Sequence, residues 1–396
     1  MKKVLVLLVA LVFALGILLS ACSTRQAPAP TTAAKAVATA EPKVETKAEP
    51  KAEAKALEPY KIGGTFVMTG EQAEYTKKNL IAGMDFAIDE INAKGGINGH
   101  KLQAIYEDSK GDPKEGVAAM RKLVEVDKVP AVVTIYTFVA FAQIPVADET
   151  KTILYAASVQ HPDLCKRSQW TFRNAPTAEQ DGTYIGEWAV ANLNPKTAGV
   201  IFEDQETIRL QVDFIKAAFT KGGGKILGEE TFKQNDTDFR AQLSKLRTAN
   251  VPNLIIQGSA PVEKARIMKQ TREMGWNVPI VTSSPLEDAK TIEIAGSAAE
   301  GVVYNATYVD PAWTKRFKDK YGYEPDPNAA KNYDAVKVIA IGLEKGGTDT
   351  EKMAKAMAEI KEYNGALGKL VFNGSREARI QQLMKTIKNG QFVELK

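Results

Sequence analysis

Apolar side chains at Leu80, Met84, Ala87, Ile88 and Ile91 recur at helical spacing, and INAKGGINGHKL (91–102) then places three glycines within five positions. Glycine adopts the positive-φ conformations that end helices and close tight turns, so Gly95 and Gly96 read as a helix stop and Asn98-Gly99 as a turn. The following KLQAIYED (101–108) alternates in the extended manner, which makes it a strand. The same grammar runs both ways from this point. Strands are predicted at 60–70, 101–107, 130–136 and 152–158, separated by helices at 75–93, 112–126 and 138–150. The alternation restarts after 177, with helices at 180–193, 208–221, 238–249 and 261–274 and strands at 197–204, 225–232, 253–259 and 278–284. Two βαβ series imply two α/β lobes, each a parallel sheet with helices on both faces. FRNAPTAEQDG (172–182) carries the proline and glycine expected where the chain crosses between them.

The first 57 residues follow different rules. MKK, the apolar run VLVLLVALVFALGILL and the ending SAC have the layout of a secretory signal. The run is nearly long enough to be a membrane-spanning anchor, but LSAC (19–22) has the form of a bacterial lipobox, whose cysteine is acylated and becomes the new N-terminus. On that preferred reading Cys22 carries the lipid, residues 1–22 are the lipoprotein signal peptide, and two or more acyl chains hold the protein to the membrane. Residues 23–57, rich in Ala, Pro, Lys, Glu and Thr with a loose AEPK repeat, cannot bury enough apolar surface to order themselves. They are expected to form a disordered tether reaching on the order of 100 Å if extended.

Composition narrows the function by exclusion. The 396 residues carry a net charge of +4, of which Lys2 and Lys3 leave with the leader, and the remaining lysines are mixed with glutamates. No nucleic-acid footprint results. Cys165 is the only cysteine besides Cys22, so no intramolecular disulfide can form once Cys22 is acylated. With only His100 and His161 available as partners, Cys165 reads as a packed thiol and not a nucleophile. KGGGK (221–225) lacks the spacing and the Ser/Thr of a phosphate loop, and no Cys/His spacing suits zinc. No metal, cofactor or catalytic set is expected.

The longer segments supply a resemblance. INAKGGINGHKL with YEDSKGDPKEGVAAMRKLV, then FRNAPTAEQDG, DTDFRAQLSKLR (236–247), IAGSAAEGVVY (294–304), FKDKYGYEPDPNAAKNYDAV (317–336) and GKLVFNGSREARIQQLMKTIKNGQFV (368–393) resemble, in order, the periplasmic leucine/isoleucine/valine-binding proteins. These are type I solute-binding proteins of ABC importers. The resemblance, spanning roughly 58–396, implies two doubly wound lobes joined by three crossovers near 174–178, 304–308 and 364–368. Lobe 1 would comprise 58–175 with 308–364, lobe 2 178–304 with 368–396, and a ligand cleft would lie between them. It further implies a non-enzymatic, monomeric, extracytoplasmic lipoprotein that captures a small solute by lobe closure and presents it to permease subunits. A ligand-sensing lipoprotein of the same fold, serving a signalling partner, is the alternative.

The cleft residues follow from the same resemblance. Ligands of open parallel sheets sit beyond the carboxyl ends of strands. In the amino-acid binders, first-lobe amides and hydroxyls hold the ligand's carboxylate; the matching positions are Phe138, Ser158 and Gln160, with Thr137 adjacent. Phe138 replaces a usual serine and Gln160 a usual threonine, whereas Tyr75 retains a first-lobe tyrosine. On the second lobe the glutamate that pairs with the ligand's ammonium falls on Ser284 and a tyrosine on Thr207. Such a charge-assisted hydrogen bond is worth roughly 1.5–3 kcal/mol. Glu203, Asp204 or Glu287 could replace it, or each could be an exposed loop acid. Phe138, Tyr75 and Tyr136 would make an aromatic wall, unless Tyr136 belongs to the core of its strand. The ligand is then a branched-chain amino acid or a similar small carboxylate or amide.

Overall fold

A computed structural model describes residues 57–372 and 374–395. The expected signal peptide, Cys22 and all of the tether but Leu57 lie outside the described residues. Among the described residues no helix is long and apolar enough to cross a membrane.

The glycine-rich turn behaves as its composition requires. Gly95, Gly96, Asn98 and Gly99 all take positive φ, at 101°, 84°, 51° and 86°. At Gly96 a β-carbon would lie 2.1 Å from the carbonyl oxygen of His100, so no larger residue fits. The helix Ala82–Ala93 ends there, and the chain enters the strand Leu102–Asp108.

The first sheet contains β1 (Tyr60–Phe66), β2 (Leu102–Asp108), β3 (Ala131–Thr134), β4 (Ile153–Ala156) and β5 (Thr171–Arg173), in the order β2-β1-β3-β4-β5 and parallel throughout. The register aligns Thr65 with Thr134, Thr134 with Ala156 and Ala156 with Arg173, so all these strands release their chains at one edge. The sequence pattern missed β5, which is only three residues long and abuts the expected crossover; buried Phe172 and Arg173 complete the sheet before the chain leaves it.

The second sheet uses β6 (Thr197–Glu203), β7 (Lys225–Phe232), β8 (Leu254–Gln257), β9 (Ile280–Thr282) and β10 (Val303–Thr307). A short hairpin, β11 (Tyr363–Gly365) and β12 (Gly368–Leu370), precedes the strands β13 (Gln382–Lys388) and β14 (Gln391–Glu394). The order is β14-β13-β10-β9-β8-β6-β7, with β13 antiparallel to both β10 and β14. Again one edge collects the carboxyl ends, since Phe202 pairs with Gln257, Ile256 with Thr282 and Thr282 with Tyr304. Each lobe has an apolar core on both faces of its sheet, as a doubly wound fold demands.

After β10 the chain returns to the first core, where the helices Pro311–Tyr321, Pro327–Gly346 and Thr350–Ala358 bury Trp313, Phe317, Tyr333, Leu343 and Met353. It does not leave again at 364–368. The Asp334 carboxylate accepts from the N–H groups of Ala366 and Leu367, both at 2.8 Å, and pins the hairpin in place. Ala366, Leu367, Leu370, Phe372 and Ala378 all pack in the first core, and Glu377 bridges to Arg173 beside β5. The third crossing is therefore displaced to 379–381, just before β13.

Candidate functional site

The helix Thr137–Thr150 starts three residues after β3, and no side chain caps its first turn. Its first N–H groups therefore point outward without an intrahelical acceptor, which suits an anion. Phe138, in that first turn, is 52% exposed and stacks on half-buried Tyr136, with centroids 5.8 Å apart and planes at 18°. Thr137 is half-buried beside it.

From β4 the chain delivers Ser158 and Gln160, and each joins a hydrogen-bonded network. The Ser158 hydroxyl donates to Oδ1 of Asn328 at 2.8 Å, and Nδ2 of Asn328 donates to the Tyr75 phenol oxygen at 2.7 Å. That phenol donates to Oδ1 of Asp326 at 3.0 Å, while burial and the Asp326 charge hold its pKa well above the ordinary tyrosine value. Asp326 also caps the helix Pro327–Gly346 by accepting from the Asn328 N–H at 2.7 Å. Lys331, one turn on, places its ammonium 3.2 Å from Oδ1 of Asn328. Burial pushes the Lys331 pKa down, against the pull of Asp326 and Asp181.

The second network centres on Asp181, in the helix Ala178–Asn192 just past the first crossing. Gln160 donates to its Oδ2 at 2.8 Å, Asn305 donates to its Oδ1 at 3.0 Å, and Gln382 donates to the same oxygen. One buried carboxylate thus holds a side chain from the first lobe's edge and side chains next to the second and third crossings. Burial raises its pKa to about 7, with Lys331 and the three amides opposing the shift. Asn305 also accepts from the Ser284 N–H at 3.2 Å.

The remaining second-lobe positions are less engaged. Ser284 is exposed, and Thr207 is half-buried in the first turn of the helix Glu206–Lys221. Neighbouring Glu206 reaches within 3.9 Å of His161 of the first lobe. The three acids in question all have internal partners. Buried Glu203 accepts from the N–H and hydroxyl of Ser259 at 2.7 and 2.5 Å. Asp204 pairs with Arg209, and Glu287 takes Lys385 with both oxygens at 2.8 Å. Beneath this edge, fully buried Lys264 donates to the Ser283 carbonyl at 2.8 Å, and burial lowers its pKa to about 7.

The structure thus links Tyr75 with Ser158 through Asn328, and Gln160 with Ser284 through Asp181 and Asn305. Thr137, Phe138 and Thr207 stand outside both networks. Sequence reasoning missed Asp326, Asn328, Lys331, Asp181 and Asn305. The first three lie in DPNAAKNYDAV, where an Asp-Pro helix start followed by polar residues at 328 and 331 was the available signal. A separate cavity of about 750 Å³ opens between the helix Ala178–Asn192 and the 371–382 segment, and contains none of the seven sequence-predicted residues. Cys165 is a buried free thiol raised to about 12 by burial. No group of three or more His, Cys, Asp or Glu side chains suited to a metal occurs among the described residues.

The sequence model of the periplasmic binding protein family matches residues 59–387. The Leu/Ile/Val-binding protein homolog 2 of Brucella abortus (strain 2308) is 26% identical over 318 residues, 77% of this chain and 84% of the relative. The branched-chain amino acid transporter substrate binding protein LivJ from Streptococcus pneumoniae, solved with isoleucine, superposes with a TM-score of 0.73 at 25% identity, covering 84% of this chain and 97% of that one. The leucine binding protein LivK from Thermotoga maritima gives 0.73 at 26% identity, covering 85% and 98%. With its two parallel-sheet lobes and a match over most of its length, the chain belongs to the periplasmic binding protein family.

Proposed function

We propose that this chain is the solute-capture component of an ABC importer, tethered outside the cytoplasm through lipid on Cys22, and that it binds a small carboxylate of branched-chain amino acid size. The observation that carries this reading is the convergence, at the carboxyl edge of the first sheet, of an uncapped helix start with the Tyr75–Asn328–Ser158 network. Backbone donors at a helix N-terminus and a hydroxyl beside them are suited to a carboxylate. Phe138 and Tyr136 supply an apolar wall for a short aliphatic or aromatic body. Tyr75, Thr137, Phe138, Ser158 and Gln160 form the first-lobe side of the cleft in this reading, with Thr207 and Ser284 opposite. Solute selects the closed arrangement through the contacts it adds on the second lobe. The relatives, a Leu/Ile/Val-binding protein homolog, a leucine binding protein and a branched-chain amino acid binding protein solved with isoleucine, support the size class.

A thermal-shift screen of amino acids, aliphatic and aromatic acids, and amides tests the proposal, because a ligand that binds the folded state alone raises apparent stability by mass action. A small carboxylate is expected to raise the melting temperature, and Ser158→Ala to reduce the shift. Labelled fatty acid should enter the wild-type chain and not Cys22→Ala; incorporation into the variant would remove the lipid anchor from the reading.

A further inference from the structure

Lys331 is not among the residues that the sequence places at the cleft, yet it joins the network of Ser158 and Tyr75 through Asn328. Its ammonium carries three N–H donors and gives one to Asn328, 3.2 Å away, at the oxygen that also receives the Ser158 hydroxyl. Among the described residues no carboxylate comes within 4.0 Å of it. The two acids whose charges act on it are engaged elsewhere: Asp326 with Tyr75 and the Asn328 N–H, Asp181 with three side-chain amides. Lys331 is half-buried, and a partly desolvated cation without a paired anion gains from a bound anion. Across the cleft Glu203, Asp204 and Glu287 are held by Ser259, Arg209 and Lys385, and Glu206 is directed at His161.

We propose that Lys331, with Ser158, binds the ligand's carboxylate directly and that the preferred ligand is a small monocarboxylate lacking an ammonium group. This rests on the reading of the cleft as the solute site. In an α-amino acid the ammonium is two bonds from the carboxyl carbon, so gripping its carboxylate with Lys331 brings two cations together, while Glu203, Asp204 and Glu287 are engaged within the second lobe and Glu206, the remaining acid of that edge, is directed at His161. Removing the ammonium relieves that repulsion and leaves the carboxylate's attraction to Lys331 intact. Lys331 is thus a specificity-determining residue that reads charge, while the aromatic wall reads the carbon skeleton.

The test is isothermal titration calorimetry on the full chain in detergent, with leucine, 4-methylpentanoate (its deaminated analogue) and 4-methylpentanamide. The wild type is expected to bind 4-methylpentanoate at least tenfold tighter than leucine and at least tenfold tighter than the amide. Lys331→Met should collapse the carboxylate-to-amide ratio toward one, Lys331→Arg should keep most of it, and Lys331→Gln provides a second neutral variant if Met does not fold. Ser158→Ala tests the cleft independently. If Ser158→Ala weakens 4-methylpentanoate while Lys331→Met leaves the ratio unchanged, the cleft reading survives and the role of Lys331 is overturned. If neither substitution matters, or neither ligand binds, both are overturned. Tighter binding of leucine, lost in Asp326→Asn, would make Asp326 the ammonium's partner and also overturn the proposal.

Discussion

The two edges that face each other across the candidate cleft are built from the same kind of strand ends and furnished in opposite ways. On the first lobe, Tyr75, Ser158, Asn328, Asp326 and Lys331 are joined by direct hydrogen bonds, and a cation is left over. On the second lobe Glu203, Asp204 and Glu287 are paired internally, Glu206 reaches only toward His161 of the first lobe, and Ser284 and Thr207 make no side-chain hydrogen bonds to other described residues. A wall whose polar groups are already fixed relative to one another presents a carboxylate with a ready geometry. A wall whose acids are already spent on internal partners adds contacts chiefly through the ligand it meets, which in the proposed reading makes closure depend on solute. The residues expected at the cleft depart from the family pattern on both walls, at Phe138 and Gln160 on one and at Thr207 and Ser284 on the other; the difference shows that only the first wall has tied its polar groups into one network.

Asp181 is the joint between the two edges, and it gives the largest predicted effect. Its folded-state pKa is raised to about 7, and Asp334, buried in the first lobe, is likewise raised to about 7. Below the unfolded value near 4 both states are protonated and these groups cost nothing. Between pH 4 and 7 only the unfolded chain ionises, so stability falls with rising pH, by at most about 1.4 kcal/mol per pH unit for each group; above pH 7 the loss levels off. Urea titrations from pH 4 to 8 should show this decline, and Asp181→Asn should flatten part of it while the Asp334 contribution persists. An unchanged slope in Asp181→Asn would mean that the joint is not the buried acid described. Lys264, lowered to about 7, acts in the next window: the folded state sheds its proton first, so stability rises from pH 7 toward 10.5.

The next effect separates the two walls directly. Asn328→Ala removes the group that satisfies the Tyr75 phenol, the Ser158 hydroxyl and the Lys331 ammonium together. Stranding partly buried polar groups costs about 1–3 kcal/mol, so a loss of roughly 2 kcal/mol is expected by chemical denaturation. Thr207→Val, on the other wall, should stay within about 0.5 kcal/mol. Equal losses at both sites would erase the asymmetry.

Phe138→Ala should act on binding more than on folding. The ring is half exposed and rests on Tyr136, so its removal should cost under about 1 kcal/mol of stability. If the ring covers the ligand's carbon skeleton, calorimetry should show affinity falling by about tenfold, the equivalent of some 1.4 kcal/mol of lost apolar contact.

How far the sequence discloses this structure depends on the distance over which each feature is decided. The βαβ alternation and the turn at Gly95–Gly99 are local, and periodicity with glycine placement exposes both. The third crossing was misplaced because GALGKL (365–370) has the composition of an exit loop, whereas its burial depends on the distant Asp334 carboxylate. In the site, strand-end positions such as Ser158 follow from local pattern and alignment, but the partner of Ser158 lies 170 residues away in a helix. Asp181 looks like any acid in the first turn of a helix; only the meeting of three crossings buries it. The acids Glu203, Asp204 and Glu287 could not be assigned from sequence because their engagement is decided by Ser259, Arg209 and Lys385 in three dimensions.

The smallest effect is the most pointed. The sequence resemblance puts Ser284 where the amino-acid binders would carry a glutamate, and here only its backbone N–H is used, donated to Asn305. Its side chain is exposed, so Ser284→Glu should fold normally and keep stability within about 0.5 kcal/mol. The new carboxylate would give the second wall its missing anion, within reach of a ligand ammonium but still in contact with water. An exposed ion pair is worth about 0.2–1 kcal/mol, so the leucine-to-4-methylpentanoate affinity ratio should rise by about 1.4- to fivefold and no more. Combining Ser284→Glu with Lys331→Met should raise the ratio further than either change alone, because one change adds the ammonium's partner and the other removes its competitor. If Ser284→Glu leaves the ratio untouched in both backgrounds, the ligand's ammonium does not face the second lobe, and the contrast between the walls says nothing about solute choice.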